Sequence, residues 1–420
     1  MKKVIKLALS VLLVLSFSTS TFANGLSLNS VGTKALGMGG AFVALSNDAT
    51  AIYWNPAGLA GQESSILANF TGVMPIGSYQ YSVPSFGINI DTKTEKNIYP
   101  TGGLMGVYNM DKMSFGLGIY VPAGLGAEWP GEDLAAFSGG QAFNWESRIG
   151  VIAISPAFAY KVTDQFSIGV AANIYYAMFD LSRPDAADAN RDGVPETPVQ
   201  YTEESTGIGF GASIGLKYDL NKQLSFGVNF RTTTAVTMDG SADIVAPSLG
   251  GATLVETDFT RDVTWPLWIG GGVAYKPTKC LTLALDAQYS KWSLLDKLIA
   301  DYEKMPEGEF VLDWKDAVMI RLGGEYMVSP NTAIRLGYYY DPAPAPDETL
   351  NILFPSSTNH VITAGCGYTF GKYSIEAAAE YLLGADREVE AYPSPLDPQN
   401  MPGLHHLDVF AFSIGFGMAL

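Results

Sequence analysis

The sequence predicts an all-β fold: a closed transmembrane barrel of 14 antiparallel strands, with an N-terminal plug in its lumen. Three observations carry this expectation. An export signal opens the chain, apolar residues alternate with small or polar ones in many segments, and six short polar turns each follow a tyrosine. With 47% hydrophobic and only 16% charged residues over 420 positions, a disordered chain is excluded. The formal net charge of -17 argues against nucleic acid as a partner, since that needs a basic surface.

Residues 1–23 read as a secretory signal peptide. Lys2, Lys3 and Lys6 supply the charged start, Leu7 to Phe17 the apolar run, and Thr21-Phe22-Ala23 the small-residue cleavage site. The predicted mature start is Asn24. Beyond it no stretch reaches the 18 or so uncharged apolar residues that a spanning helix needs. An apolar exported chain without such helices can cross a bilayer only as a closed barrel, because every backbone group must find a partner.

Residues 24–63 are rich in Gly and Ala, weakly charged and too irregular for a strand. The lumen of a barrel this size has to be filled if it is not to leak. This segment is therefore expected to fold inside as a plug, with a periplasmic tail as the alternative.

Residues 64–420 form the predicted barrel. Leu281, Leu283, Leu285, Ala287 and Tyr289 interleave with Thr282, Ala284, Asp286 and Gln288. Ile208, Phe210, Ala212, Ile214, Leu216 and Tyr218 interleave with glycines, Ser213 and Lys217, and the last strand alternates from Phe410 to Leu420. One face is apolar and the other small or polar, as lipid outside and a filled lumen require. The short turns centre on Asp111, Asp164, Lys222, Thr278, Pro330 and Gly371-Lys372, preceded by Tyr108, Tyr160, Tyr218, Tyr275, Tyr326 and Tyr368. Rings at a fixed depth make an interfacial girdle. Six turns join twelve strands; one more precedes the first turn, from about Ser64 to Pro75, and one follows the last long loop. Seven long outer loops are expected at 82–97, 122–144, 180–202, 240–258, 294–310, 342–356 and 385–404. The third strand should stop at Pro122. The fourth changes its apolar parity near Val151-Ile152, which reads as a bulge or a misplaced boundary. Leu295, Leu298, Ile299 and Tyr302 fall at helical spacing and predict a short amphipathic helix on the barrel mouth.

Other constellations are weaker. Asp188, Asn190, Asp192 and Gly193 repeat the first half of a calcium loop, but Val199 stands where the last carboxylate belongs. A Ca²⁺ site and a solvated acidic loop both fit; no other cofactor is expected. Arg231 and Arg321 face inward far from the turns. They are candidates to hold a ligand head group, or else belong to an ion-pair network that supports the plug. No His-paired nucleophile appears, so the chain is not read as an enzyme.

Leu36-Gly37-Met38-Gly39-Gly40-Ala41-Phe42, Asn47-Asp48-Ala49 and Asn55-Pro56-Ala57-Gly58-Leu59 resemble the hatch of the FadL/TodX family of outer-membrane transporters for long-chain fatty acids and hydrocarbons. The resemblance spans the mature chain. It implies passive uptake of long-chain fatty acids or other hydrophobic compounds: capture among outer loops, a pocket beside the hatch, and lateral exit near a kinked third strand. On that reading Asn55, Pro56, Ala57, Gly39 and Gly40 belong to the hatch, and Pro122, Gly124 and Gly126 mark the lateral opening. Two alternatives stay open, an aromatic or alkane hydrocarbon channel and a structural or adhesive surface barrel. Outer-membrane lipid and a hydrophobic small molecule are the expected partners, and a monomer is expected.

Overall fold

The computed structural model of the chain describes residues 25–28, 30–188, 195–391 and 400–420. The predicted signal peptide, and Asn190 and Asp192 of the calcium pattern, lie outside the described residues.

Strand follows strand, because the apolar–small alternation can be buried on neither side by a helix. The wall begins with β1 (Ser65–Val83), which turns over into the short β2 (Ile88–Lys93) and then β3 (Tyr99–Met110). Next come β4 (Met113–Trp129), β5 (Trp145–Lys161), β6 (Phe166–Ala187) and β7 (Thr197–Asp219). Two wall strands are each broken midway: β8 (Leu224–Arg231) continues as β9 (Thr234–Ala246), and β10 (Ala252–Trp265) as β11 (Trp268–Tyr275). After β12 (Leu281–Ser290), a hairpin of β13 (Lys297–Tyr302) and β14 (Gly308–Val311) rises at the loop side. The wall resumes with β15 (Ala317–Ser329), β16 (Thr332–Asp341), β17 (Asn359–Phe370) and β18 (Tyr373–Gly384), then the short β19 (Arg387–Val389) and β20 (Gly403–Ala419).

With each broken strand counted once and the loop segments β2, β13, β14 and β19 set aside, the wall has the predicted 14 strands. The pairings are antiparallel, those of the 14 wall strands join successive strands, and β20 closes the ring on β1 from Ser65↔Ala419 to Gln80↔Leu404. Closure removes both sheet edges, which a bilayer would leave without hydrogen-bond partners. Outward side chains are large and apolar, up to 72% exposed at Phe210. The six turn-side tyrosines are all outward and exposed, as a girdle requires.

Five expectations need correction. β1 runs on to Val83, past the expected end at Pro75. β4 does not stop at Pro122; it continues to Trp129, and residues 122–129 pair with β5 rather than forming a loop. The irregularity expected in the fourth strand lies instead in its partner: β5 alternates without a break, while the register shifts on β4 between Tyr120 and Ala123. The parity change at Ile149 and Val151 arises because β5 turns apolar side chains inward there as well as outward. The expected helix at 295–302 is strand: Leu298 and Ala300 are buried, Ile299 and Asp301 exposed, and pairing of Ala300 with Arg261 of β10 overrides the helical spacing. The loop expected at 240–258 is likewise mostly strand, because β9 and β10 pair up to Ala246↔Ala252.

Candidate functional site

Residues 31–62 fold inside the barrel. Helix α1 (Thr33–Gly37) and helix α2 (Ala51–Trp54) are only about a turn each, too short to hold by themselves in water. The wall holds them. Gly39 and Gly40 adopt positive φ (64° and 67°), where a side chain would be strained. Space forbids one too: a Cβ at Gly40 would lie 2.3 Å from Arg321 Nη1. Facing glycines do the same from the other side. A Cβ at Gly337 would lie 2.2 Å from Gly39 N, and one at Gly227 2.4 Å from Val43 O. Glycines at these inward strand positions let the backbone of the inner segment lie against the backbone of the wall.

Asn55 is fully buried and uses its whole side chain. It caps the 3₁₀ turn Pro56–Leu59 by accepting from Ala57 N at 3.1 Å, and its amide donates to Val43 O at 2.9 Å and to Leu216 O of β7 at 3.0 Å. Pro56 opens the turn, where its missing N–H costs nothing. The motif Asn55-Pro56-Ala57 is thus a joint between turn, inner segment and wall.

Charged side chains from the wall clamp the same segment. Asp286 Oδ2 accepts from Val43 N at 2.7 Å. Arg321 Nη1 donates to Gly39 O at 3.1 Å, with its guanidinium over the rings of Trp54 and Tyr339. Arg231 Nη2 donates to Tyr53 O at 2.9 Å, and the same guanidinium stacks on Tyr53 and Trp268. On the far side, Lys34 of α1 pairs with Glu325 at 3.6 Å, which Arg335 links to Glu376. Such buried pairs hold position more than they add net stability.

The wall has one discontinuity beside this segment. Pairing of β3 with β4 ends at Gly103↔Tyr120. Beyond the Val121-Pro122 bulge, β5 is the one strand β4 pairs with among the described residues, and farther along Glu128 O accepts from Glu95 N at 2.8 Å. Its other edge is met by the first described residues: Leu28 N donates to Pro122 O at 3.0 Å, and Gly124 N donates to Leu26 O at 2.9 Å. Ser27 and Ala123 form the bridge pair between them. A Cβ at Gly126 would lie 2.3 Å from the ring of Tyr99, so that ring covers the next gap along the edge. Pro122, Gly124 and Gly126 therefore fall together at this break in the wall.

Against the break lies a cavity of about 320 Å³. Leu26, Ser27 and Leu36 bound it from below, Val121, Ala123, Gly124 and Gly126 of β4 and Tyr99 to Thr101 of β3 at the gap, and Trp314 and Phe354 from the outer loops. Val73, Ile149, Leu382, Leu407 and Val409 make it largely apolar. Arg231 and Arg321 do not line it; Arg231 borders a small space of about 30 Å³ across the Ser27–Ala123 bridge. The inward apolar residues were the signal that sequence reading left unused. Only the parity change at Ile149 and Val151 hinted at them.

A family described as "Outer membrane protein transport protein (OMPP1/FadL/TodX)" matches residues 14–409. The chain is 23% identical to a long-chain fatty acid transport protein of Escherichia coli O6:H1, over 90% of this chain and 91% of that one. It is 24% identical to a putative outer membrane protein of Neisseria meningitidis serogroup B, over 86% of each. Among solved structures, a Pseudomonas aeruginosa FadL homologue superposes with a TM-score of 0.78 at 17% identity, covering 94% of this chain and 99% of that one. The P. putida toluene transporter TodX superposes with a TM-score of 0.77 at 17% identity, with the same coverage. A match across nearly the whole length, on the same closed barrel, places this chain in the OMPP1/FadL/TodX family of outer membrane transport proteins.

Proposed function

We propose that the protein takes up hydrophobic small molecules, of the long-chain fatty acid or hydrocarbon kind, passively across the outer membrane and releases them sideways into the bilayer. The observation that carries this reading is the apolar cavity set against the edge of β4 that β3 leaves and Leu26 to Leu28 cover. Its volume of about 320 Å³ lies at the lower end of the range that holds small ligands, about 300–1,000 Å³. An apolar molecule gains nothing from a water-filled pore and gains free energy by passing directly into lipid.

In this reading residues 24–63 are the hatch that keeps the barrel closed, and residues 1–23 are removed on export. Leu26 to Leu28 are the removable part of the wall, because two backbone hydrogen bonds hold them to β4. Arg231 and Arg321 serve first as clamps on hatch carbonyls, and they meet a ligand head group only once the hatch shifts. The names of the relatives favour transport over an adhesive barrel.

Cells that lack the protein and cells that express it should be given labelled oleate and labelled toluene. Faster entry of either with the protein supports the reading. Equal entry of both, with the barrel present in the outer membrane, would sink it.

A further inference from the structure

Two neighbouring wall strands break at the same height. β8 ends and β11 begins at the pair Arg231↔Trp268, while β9 begins and β10 ends at the pair Thr234↔Trp265. Pro266 lies in the second break and has no N–H to give to a ladder. The four residues that flank the breaks all line the small space of about 30 Å³, together with Ser27 and Tyr53 of the inner segment. Such a volume has room for roughly two water-sized occupants, at about 10–15 Å³ each.

The polar atoms around this space call for an acceptor. Arg231 Nε and Trp265 Nε1 carry N–H groups that donate and cannot accept, and both are buried without a protein partner among the described residues. Thr234 is 1% exposed, and its hydroxyl is unmatched in the same way. The lining holds no Asp or Glu. What Arg231 meets is one carbonyl, that of Tyr53, and the faces of the Tyr53 and Trp268 rings. These satisfy part of the guanidinium but bring no full negative charge, and a buried charge without a counter-charge is costly. A water molecule accepts two hydrogen bonds and supplies no charge. An anion accepts from all three groups and neutralises the arginine.

We propose that this space is a binding site for a small inorganic anion, a halide, held by Arg231, Trp265 and Thr234. At about 30 Å³, crowded by two indoles and Pro266, it is far below the 300 Å³ or so of a site for an organic ligand. A free ion, and not the head group of a transported molecule, is therefore the occupant while the hatch is seated. Ser27 and Tyr53 belong to the same lining, so the bound ion ties the hatch to the wall at this seam. The inference goes beyond uptake and does not depend on which molecule is carried.

The test soaks crystals of the full mature chain in sodium bromide and locates bromine by its anomalous scattering. One peak should appear within hydrogen-bond reach of Arg231 Nε and Trp265 Nε1. Its occupancy should fall at least threefold in Trp265→Phe and in Thr234→Val, which each remove one donor and keep the shape, and it should vanish in Arg231→Met. Because Arg231 also holds Tyr53 O, the first two variants carry the test if the third does not assemble. In planar bilayers at constant ionic strength, closed periods should lengthen at least threefold when bromide replaces gluconate, which is too large for the space, and Trp265→Phe should not respond. No bromine in the space overturns the site. Peaks confined to exposed basic side chains mean an adventitious ion only and overturn it as well. A peak undiminished in all three variants overturns the assignment to these residues. Bromine in place, with closed periods indifferent to the anion, overturns the tie between hatch and wall.

Discussion

Replacing Asn55 by Ala should unseat the hatch while leaving the barrel intact. The side chain makes three hydrogen bonds in a fully buried setting, two as donor and one as acceptor. At a net contribution of about 1 kcal/mol each, the loss is about 3 kcal/mol, before any extra cost for the carbonyls of Val43 and Leu216 left without a donor. Since each 1.4 kcal/mol is a factor of ten, the balance between seated and displaced hatch shifts about a hundredfold. None of that loss falls on the strand ladders, which are paired independently. The expected result in a planar lipid bilayer is a much higher frequency of open, ion-conducting events, with an unchanged melting temperature for the wall. Asn55→Asp should behave similarly, because it loses both donated bonds. If both variants stay as closed as the unaltered protein, Asn55 is not the joint described here, and the hatch is held by the charged clamps alone.

Three further outcomes are expected. Gly337→Val should raise conductance as Asn55→Ala does, since its Cβ would meet Gly39 N at 2.2 Å, whereas Gly324→Ala, with its nearest contact at 3.6 Å, should be silent in the same recordings. In a background where Cys280 and Cys366 are replaced by Ser, cysteines at the bridge pair Ser27 and Ala123 should cross-link, because paired antiparallel residues stand within disulfide reach; uptake should stop under oxidant and return with reductant. Val409→Trp should fill much of the cavity and lower binding of every hydrophobic ligand at least tenfold in phosphatidylcholine nanodiscs, with normal assembly in the membrane.

The wall was legible because its physics is written with period two. Leu281 to Tyr289 can satisfy lipid on one side and a packed lumen on the other only as strand, and the tyrosines before the turns mark depth independently of it. Loops were the weaker part, for a physical reason. Above the membrane the outward face is no longer apolar, so alternation fades although pairing continues, as in β9 and β10 at Ala246 and Ala252. Leu295 to Tyr302 failed for the opposite reason: a local helical spacing was overruled by a neighbouring strand, which no short window of sequence shows. The turn at Asn55 was legible, because a capping residue, a proline and small neighbours act locally. The cavity was not legible, because it is assembled from single inward apolar residues on strands far apart in the chain, such as Val73, Ile149, Leu382 and Val409.

Pro122 shows why a break in the wall can be tolerated at all. A β-strand edge in a bilayer exposes backbone donors and acceptors that lipid cannot satisfy, at several kcal/mol each. β4 loses its neighbour just past Tyr120, but Pro122 has no N–H to satisfy. Among the described residues, what Leu26 and Leu28 meet on that edge is one carbonyl, that of Pro122, and one N–H, that of Gly124. A longer exposed ladder would need a permanent partner and would close the wall for good. A fully apolar gap without backbone contacts would leave nothing to hold the N-terminal segment shut. Two hydrogen bonds, at about 1 kcal/mol net each in a paired state and more when broken in lipid, make a seal that is firm when empty. On the proposed reading, a ligand that fills the cavity and displaces Leu26 opens it. In the proposed sideways exit, the proline would therefore limit how much polar backbone is exposed when the segment leaves, and that limit would make a reversible exit compatible with a closed barrel.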